Sequence, residues 1–225
     1  MDSKYWDTNF MRHLDVDSVQ IVMEVGARYG GETLVLKNKF PNADIFSFEA
    51  NPLTIEKCFL NLNGQDRIKF FPLALGEKKS KLPFYSYVKG NDGASSLFKR
   101  IDFEESQKET GSVDVITLED FALTHSISHI DYLCMDVQGF ELNVLKGAGG
   151  FLSNIKHVVM EEPNPIINTN YLHNGEHSKY LNAPSSQEIK KFMNSAGFIE
   201  IERNVENAIE DNVMYKNANE ALNIL

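Results

Sequence analysis

The 225-residue sequence predicts an α/β fold: a mostly parallel sheet with helices on both faces and an antiparallel element at its C-terminal end. Three observations predict it. An apolar run over 19–25 enters a glycine loop at Gly26 and Gly30, a second over 44–48 ends at Glu49, and a third over 130–135 ends at Asp136 before a turn at Gly139 and an amphipathic helix. Each is a strand that hands over to a helix, and open α/β sheets place their ligands at such strand ends. One glycine loop and two carboxylates therefore arrive at one edge.

The remaining elements follow in chain order. Residues 1–18 form an N-terminal helical segment. After the glycine loop the first helix continues through Thr33, Leu34, Val35 and Leu36. At the end of the second strand Asn51 stands as N-cap, with Pro52 at the first helical position. Residues 68–75 read as a third strand and 82–88 as an additional alternating one, followed by a loop over 89–96. A short strand over 113–117 leads into a helix capped by Thr117, with Glu119 and Asp120 in its first turn. The strand over 156–162 closes on Glu161 and Glu162. Residues 163–185, rich in Asn, Tyr and His and without periodicity, suit an acceptor-site loop or lid. A helix over 186–196 is closed by Gly197, and 198–201 with 213–215 form a terminal pair. With no internal repeat, linker or low-complexity tract, residues 1–225 are expected to form one domain.

The formal net charge of -10 argues against a nucleic-acid partner, because a phosphate backbone is gripped by clustered Lys and Arg. A neutral or cationic small ligand suits it better. No basic segment followed by an apolar run opens the sequence, and no apolar run is long enough to cross a bilayer, so a soluble, cytoplasmic protein without a membrane partner is expected. Cys58 on a helix and Cys134 within a buried strand read as interior thiols, which suits a reducing compartment.

The glycine loop departs from the dinucleotide pattern. Arg28 occupies the place of the middle glycine that lets a backbone approach a pyrophosphate, and Glu24 puts negative charge nearby. A ligand without phosphate but with an ammonium and a sulfonium, S-adenosylmethionine, is compatible with both. Gly26, Ala27 and Gly30 would then admit the methionine moiety, and Glu24 would favour its amino group. Glu49, with Ala50 and Asn51 beside it, would accept the ribose hydroxyls. Ala74 and Leu75 would seat adenine, and Ser95, with Ser96, Asn91 and Asp92, would lie near adenine or acceptor.

The words Val25-Gly26-Ala27-x-x-Gly30, Phe48-Glu49-x-Asn51-Pro52, Gly93-x-Ser95-Ser96-Leu97, Thr117-Leu118-Glu119-Asp120 and Asp136-Val137-x-Gly139-Phe140-Glu141-x-x-Val144-Leu145-Lys146-Gly147-Ala148 resemble the FkbM-type S-adenosylmethionine-dependent methyltransferases. The resemblance covers residues 19–165. It implies a class I (Rossmann-like) methyltransferase with a seven-stranded sheet and an antiparallel C-terminal strand, and methyl transfer to a hydroxyl of a sugar, glycan or related metabolite. Arg28 stands where the family usually has Asn, Gln138 where it has Glu, and Cys134-Met135 where it has Lys-Ile.

A hydroxyl that attacks a methyl group must lose its proton, and a general base or a metal can assist. Asp136 is the first candidate; its other reading is an acid that caps the following helix or binds the cofactor ammonium. Glu161 and Glu162 form a second acidic site, and with Asp136 could hold Mg²⁺ or Mn²⁺ through oxygen ligands. His173, in a His-Asn-Gly-Glu-His word with His177, could act as a base in the lid or stand as a surface histidine. Tyr171 and Tyr180 could stack on a sugar ring or simply pack the loop. The alternatives are a cofactor-binding module without catalysis, a nicotinamide-dependent oxidoreductase and a nucleic-acid methyltransferase.

Overall fold

A computed structural model describes residues 7–90, 92–101, 106–164, 180–205 and 210–219. In chain order the elements are α1 (Thr8–Met11), β1 (Ile21–Val25), α2 (Gly31–Lys39), β2 (Asp44–Phe48), α3 (Ile55–Leu62), β3 (Ile68–Phe71), β4 (Ala74–Leu75), β5 (Ser80–Tyr87), β6 (Gln107–Ile116), α4 (Leu118–Thr124), β7 (Ile130–Met135), α5 (Glu141–Gly147), β8 (Ile155–Pro163), α6 (Ser186–Ser195), β9 (Phe198–Val205) and β10 (Glu210–Asn217). Seven strands form one sheet in the order β3-β2-β1-β7-β8-β10-β9. β3, β2, β1, β7 and β8 are parallel neighbours, and β10 runs antiparallel to both β8 and β9. This is the mostly parallel α/β sheet with an antiparallel C-terminal element that the sequence predicts.

Chain order reverses direction across the sheet between β1 and β7. The two connections that leave their C-terminal ends go opposite ways, which opens a crevice there.

Strand alternation splits the core into two layers. Met23, Val25, Phe46, Phe48, Leu133, Met135, Val158 and Met160 face α4, α5 and α6, while Val22, Ile45, Tyr132, Cys134 and Val159 face α1 and α2. All six residues of β7 are buried, and its one charged member, Asp131, is paired with Lys156 and accepts from Gln20 N and Ile21 N. Cys58 and Cys134 are both free and buried, and burial pushes the Cys58 thiol up to about 12.

The run over 68–75 is not one strand. Pro72 has no N–H to donate, and Leu73 N folds back onto Phe71 O at 3.0 Å. The chain leaves the main sheet there. β4 pairs with β6 instead, in a second sheet of order β4-β6-β5 whose inner face packs Ala74, Phe84, Val113 and Val115. β6 also begins well before the expected 113–117, because β5 offers it an antiparallel partner as far as Tyr87.

The helix after β2 starts at Ile55 rather than Pro52. Asn51 Oδ1 accepts from Leu53 N at 3.0 Å, a local turn that delays the helix, and also from Ser86 Oγ at 2.7 Å. Thr117 caps α4 as expected, accepting from Asp120 N at 3.0 Å.

Candidate active site

A cavity of about 550 Å³ lies at the C-terminal ends of β1, β2 and β7, with the second sheet as its far wall. Its floor is the loop after β1. Gly26 has φ +99°, and a Cβ there would lie 2.0 Å from Asp136 O, so this residue must be glycine for β1 and β7 to approach. Gly26 N and Ala27 N both donate to Phe48 O at 2.9 Å, which ties the loop to the end of β2.

Glu49 follows directly. One carboxylate oxygen accepts from Arg28 N at 2.5 Å and the other from Asn51 N at 2.6 Å, and burial pushes the carboxyl up to about 7. These two backbone donors hold the carboxylate in a fixed attitude on the cavity wall. Across the rim the Arg28 guanidinium and the Tyr29 hydroxyl both bind Asp92, joining the glycine loop to the turn after β5. The pair holds the Asp92 carboxyl below its usual range despite partial burial.

At the end of β7 the chain makes a tight turn, with Gln138 at φ +55° and Gly139 at φ +95°. Buried Glu141 closes it by accepting from Val137 N at 3.1 Å and Gly139 N at 3.3 Å, and burial pushes its carboxyl up to about 8. Gln138 Nε2 donates to Asp136 Oδ1 at 2.6 Å and to Glu161 Oε2 at 2.8 Å, and Tyr180 donates its hydroxyl to Gln138 Oε1 at 2.5 Å.

Of the residues singled out in the sequence, Gly26, Ala27, Glu49, Ala50, Asn51, Ala74, Leu75, Ser95, Asp136 and Glu161 all line this cavity. Glu24 and Gly30 do not. Glu24 points from β1 into the α2 layer, where Thr33 and Ser47 donate to one oxygen while the other is buried without a hydrogen-bond partner; burial pushes the carboxyl up to about 8. It is therefore not placed to receive a ligand ammonium. Gly30, at φ +78°, is constrained by α3, since a Cβ would meet Leu62 Cγ at 2.7 Å. Ser95 Oγ is engaged in its own turn, accepting from Tyr87 N and donating to Asp92 O.

Glu162 corrects the reading of a second acidic site. Neighbours on a strand point to opposite faces, so while Glu161 faces the cavity, Glu162 is fully buried under α6. There it accepts from Tyr215 Oη at 2.7 Å, Ser186 Oγ at 2.7 Å and Arg203 Nη2 at 3.1 Å. The donor set expected to hold Mg²⁺ or Mn²⁺, Asp136 with Glu161 and Glu162, does not fit a metal: one carboxylate faces the other way and an amide bridges the remaining two. Among the described residues no three His, Cys, Asp or Glu side chains converge on a metal position. Tyr180 is buried against Gln138 and Ala94, not presented for stacking on a sugar. His173, His177, Tyr171 and Asn91 lie outside the described residues, as does most of the expected lid.

Glu210, at the start of β10, also lines the cavity, as does Gln138. No local motif surrounds Glu210; only the antiparallel pairing of β10 on β8, which sets Glu210 opposite Pro163, brings it there.

The cavity suits S-adenosylmethionine. Its volume is that of a small-molecule site, Ala74 and Leu75 supply an apolar wall, and Glu49 offers a carboxylate fixed for a pair of hydroxyls. Glu32, Glu49, Asp92, Asp136, Glu161 and Glu210 line it, against Arg28 as the basic residue among the described ones, a field that favours a cationic ligand.

Comparison with known proteins agrees. The profile of the Methyltransferase FkbM domain matches residues 24–200. The chain is 23% identical over 156 residues to 2-O-methyltransferase NoeI of Sinorhizobium fredii, covering 63% of this chain and 62% of that protein. It is 28% identical over 142 residues to Methyltransferase 1 of Beauveria bassiana, covering 56% and 57%. The match thus spans about three-fifths of the length of these relatives. Among solved structures, a fibrillarin/Nop5p complex superposes with a TM-score of 0.53 at 12% identity, over 91% of this chain and 74% of that one. Aeropyrum pernix fibrillarin with natively bound S-adenosyl-L-methionine gives 0.51 at 13%, over 90% and 68%. These two show the fold alone. With the family profile covering residues 24–200, most of the sequence, the chain belongs to the FkbM methyltransferase family.

Proposed function

We propose that this protein transfers a methyl group to a hydroxyl oxygen of a sugar, glycan or related polyol. The observation that carries the reading is the pair of carboxylates, Asp136 and Glu161, held side by side on the cavity wall by the Gln138 amide. S-adenosylmethionine supplies an electrophilic methyl group when bound. Asp136 accepts a hydrogen bond from the acceptor hydroxyl, orients its oxygen lone pair, and takes the proton as the oxygen forms its new bond. Glu161 receives a neighbouring hydroxyl, and a vicinal diol suits two adjacent acceptor carboxylates.

The acidic lining sets the charge of the acceptor. A phosphorylated sugar would bring like charge against Asp136, Glu161 and Glu210, whereas a neutral or amino sugar would not. The likeness to a 2-O-methyltransferase supports oxygen as the receiving atom.

Calorimetric titration with S-adenosylhomocysteine is the first test. Saturable one-site binding that weakens at least about tenfold in Glu49→Ala is expected, because the ribose acceptor is removed. A transfer screen on neutral and amino sugars follows, with Asp136→Asn slower by about 10². Absent cofactor binding, or wild-type turnover in Asp136→Asn, would overturn the assignment.

A further inference from the structure

We propose that the Gln138 side chain is a built-in neutral bridge, standing in the place that a divalent cation would fill between Asp136 and Glu161. The proposal rests on the reading of these two acids as the acceptor-side pair. Its basis is geometric. Gln138 Nε2 carries two hydrogens and lies 2.6 Å from Asp136 Oδ1 and 2.8 Å from Glu161 Oε2, so each hydrogen meets one carboxylate. The opposite amide orientation would set a carbonyl oxygen against both carboxylates. The two carboxylates, which can only accept, thus fix the orientation seen, and the hydroxyl of Tyr180, 2% exposed, lies 2.5 Å from Oε1 with its one hydrogen shared between that oxygen and Ala94 O at 3.1 Å. The backbone is fixed as well, since Ser96 Oγ donates to Gln138 O at 2.8 Å.

A hard cation in this place would need oxygen ligands on every side. The amide instead presents N–H donors, which repel a cation and satisfy both anions by charge-assisted bonds. Gln138 is thus a positioning residue. It holds two carboxylates together and aimed at the acceptor, and it sets the site up to work by proton acceptance alone.

The prediction that separates this role from simple packing concerns Gln138→Glu, which keeps the shape and the Tyr180 partner but converts the bridge into a third carboxylate. Mn²⁺ binding to the full chain, followed by calorimetry and by thermal midpoint, should tighten at least about tenfold over wild type. The gain should vanish in the double variant Gln138→Glu/Glu161→Gln. Destabilisation does not hide the result, because Mn²⁺ that binds only the folded state raises the midpoint of a weakened variant. Equal Mn²⁺ affinity in wild type and Gln138→Glu would overturn the proposal. So would a gain that survives removal of the Glu161 charge, or a variant that Mn²⁺ leaves unfolded. None of these readouts uses an acceptor or methyl transfer, so their failure is distinct from failure of the proposed reaction.

Discussion

Glu49 illustrates how a single side chain links burial to ligand affinity. It is 6% exposed, two backbone N–H groups hold its oxygens, and burial has pushed its carboxyl up to about 7. Only the ionised form accepts two hydroxyls without retaining a proton of its own. Affinity for S-adenosylhomocysteine should therefore fall as pH drops through 7, by about tenfold between pH 8 and pH 6, and titration across that range checks it. A flat profile would count against the ribose role. Single residues were unevenly legible in the sequence. Glu49 and Asp136 announce themselves as acids at the ends of apolar runs. Glu161 and Glu162 look equivalent in the sequence, and only the register of β8 on β7 and β10 decides that one faces the cavity and the other α6. Gln138 is part of a recognisable word, but its partner Tyr180 lies 42 positions away in a segment without periodicity.

At the scale of elements, the edge formed by β8, β10 and β9 is fastened by a partly buried guanidinium. Arg203 reaches Glu162 at 3.1 Å, Asp211 at 3.0 Å and Glu200 at 2.9 Å. Removing it strands Glu162, which is fully buried, without its cationic partner. Arg203→Ala should destabilise the fold by about 3 kcal/mol in urea unfolding. Cofactor affinity measured under folding conditions should hold, since Glu162 points away from the cavity. Elements whose two faces are both buried were readable throughout, as with β7, whose bounds match the apolar run 130–135. The misreadings occur where a long-range partner redirects the chain. Residues 68–75 look continuous until β6 draws β4 into a second sheet, and α3 starts late because Ser86, far along the sequence, helps hold Asn51 in its turn.

For the whole molecule, the three acids Glu24, Glu49 and Glu141 share one thermodynamic consequence. Their folded-state values are raised to about 8, 7 and 8, so the native state holds protons that the unfolded chain has already released. Stability from these groups is complete below about 4.5 and is lost as pH rises through 7 to 8. Asp131 acts in the opposite sense: bound by Lys156 and the backbone N–H groups of Gln20 and Ile21, it is held below its usual value, and its contribution is lost as pH falls below the ordinary Asp range. Urea midpoints should thus peak in mildly acidic solution and decline toward pH 9, with a shallower decline in Glu24→Gln. The contact of Arg28 and Tyr29 with Asp92 matters on another axis, that of time. It joins the glycine loop to the turn after β5 across the rim of the cavity, and on the proposed reading release of spent cofactor is expected to wait on its opening. Added salt, by loosening the contact, should quicken product escape, making turnover frequency a property of the cavity rim as much as of the acids beneath it.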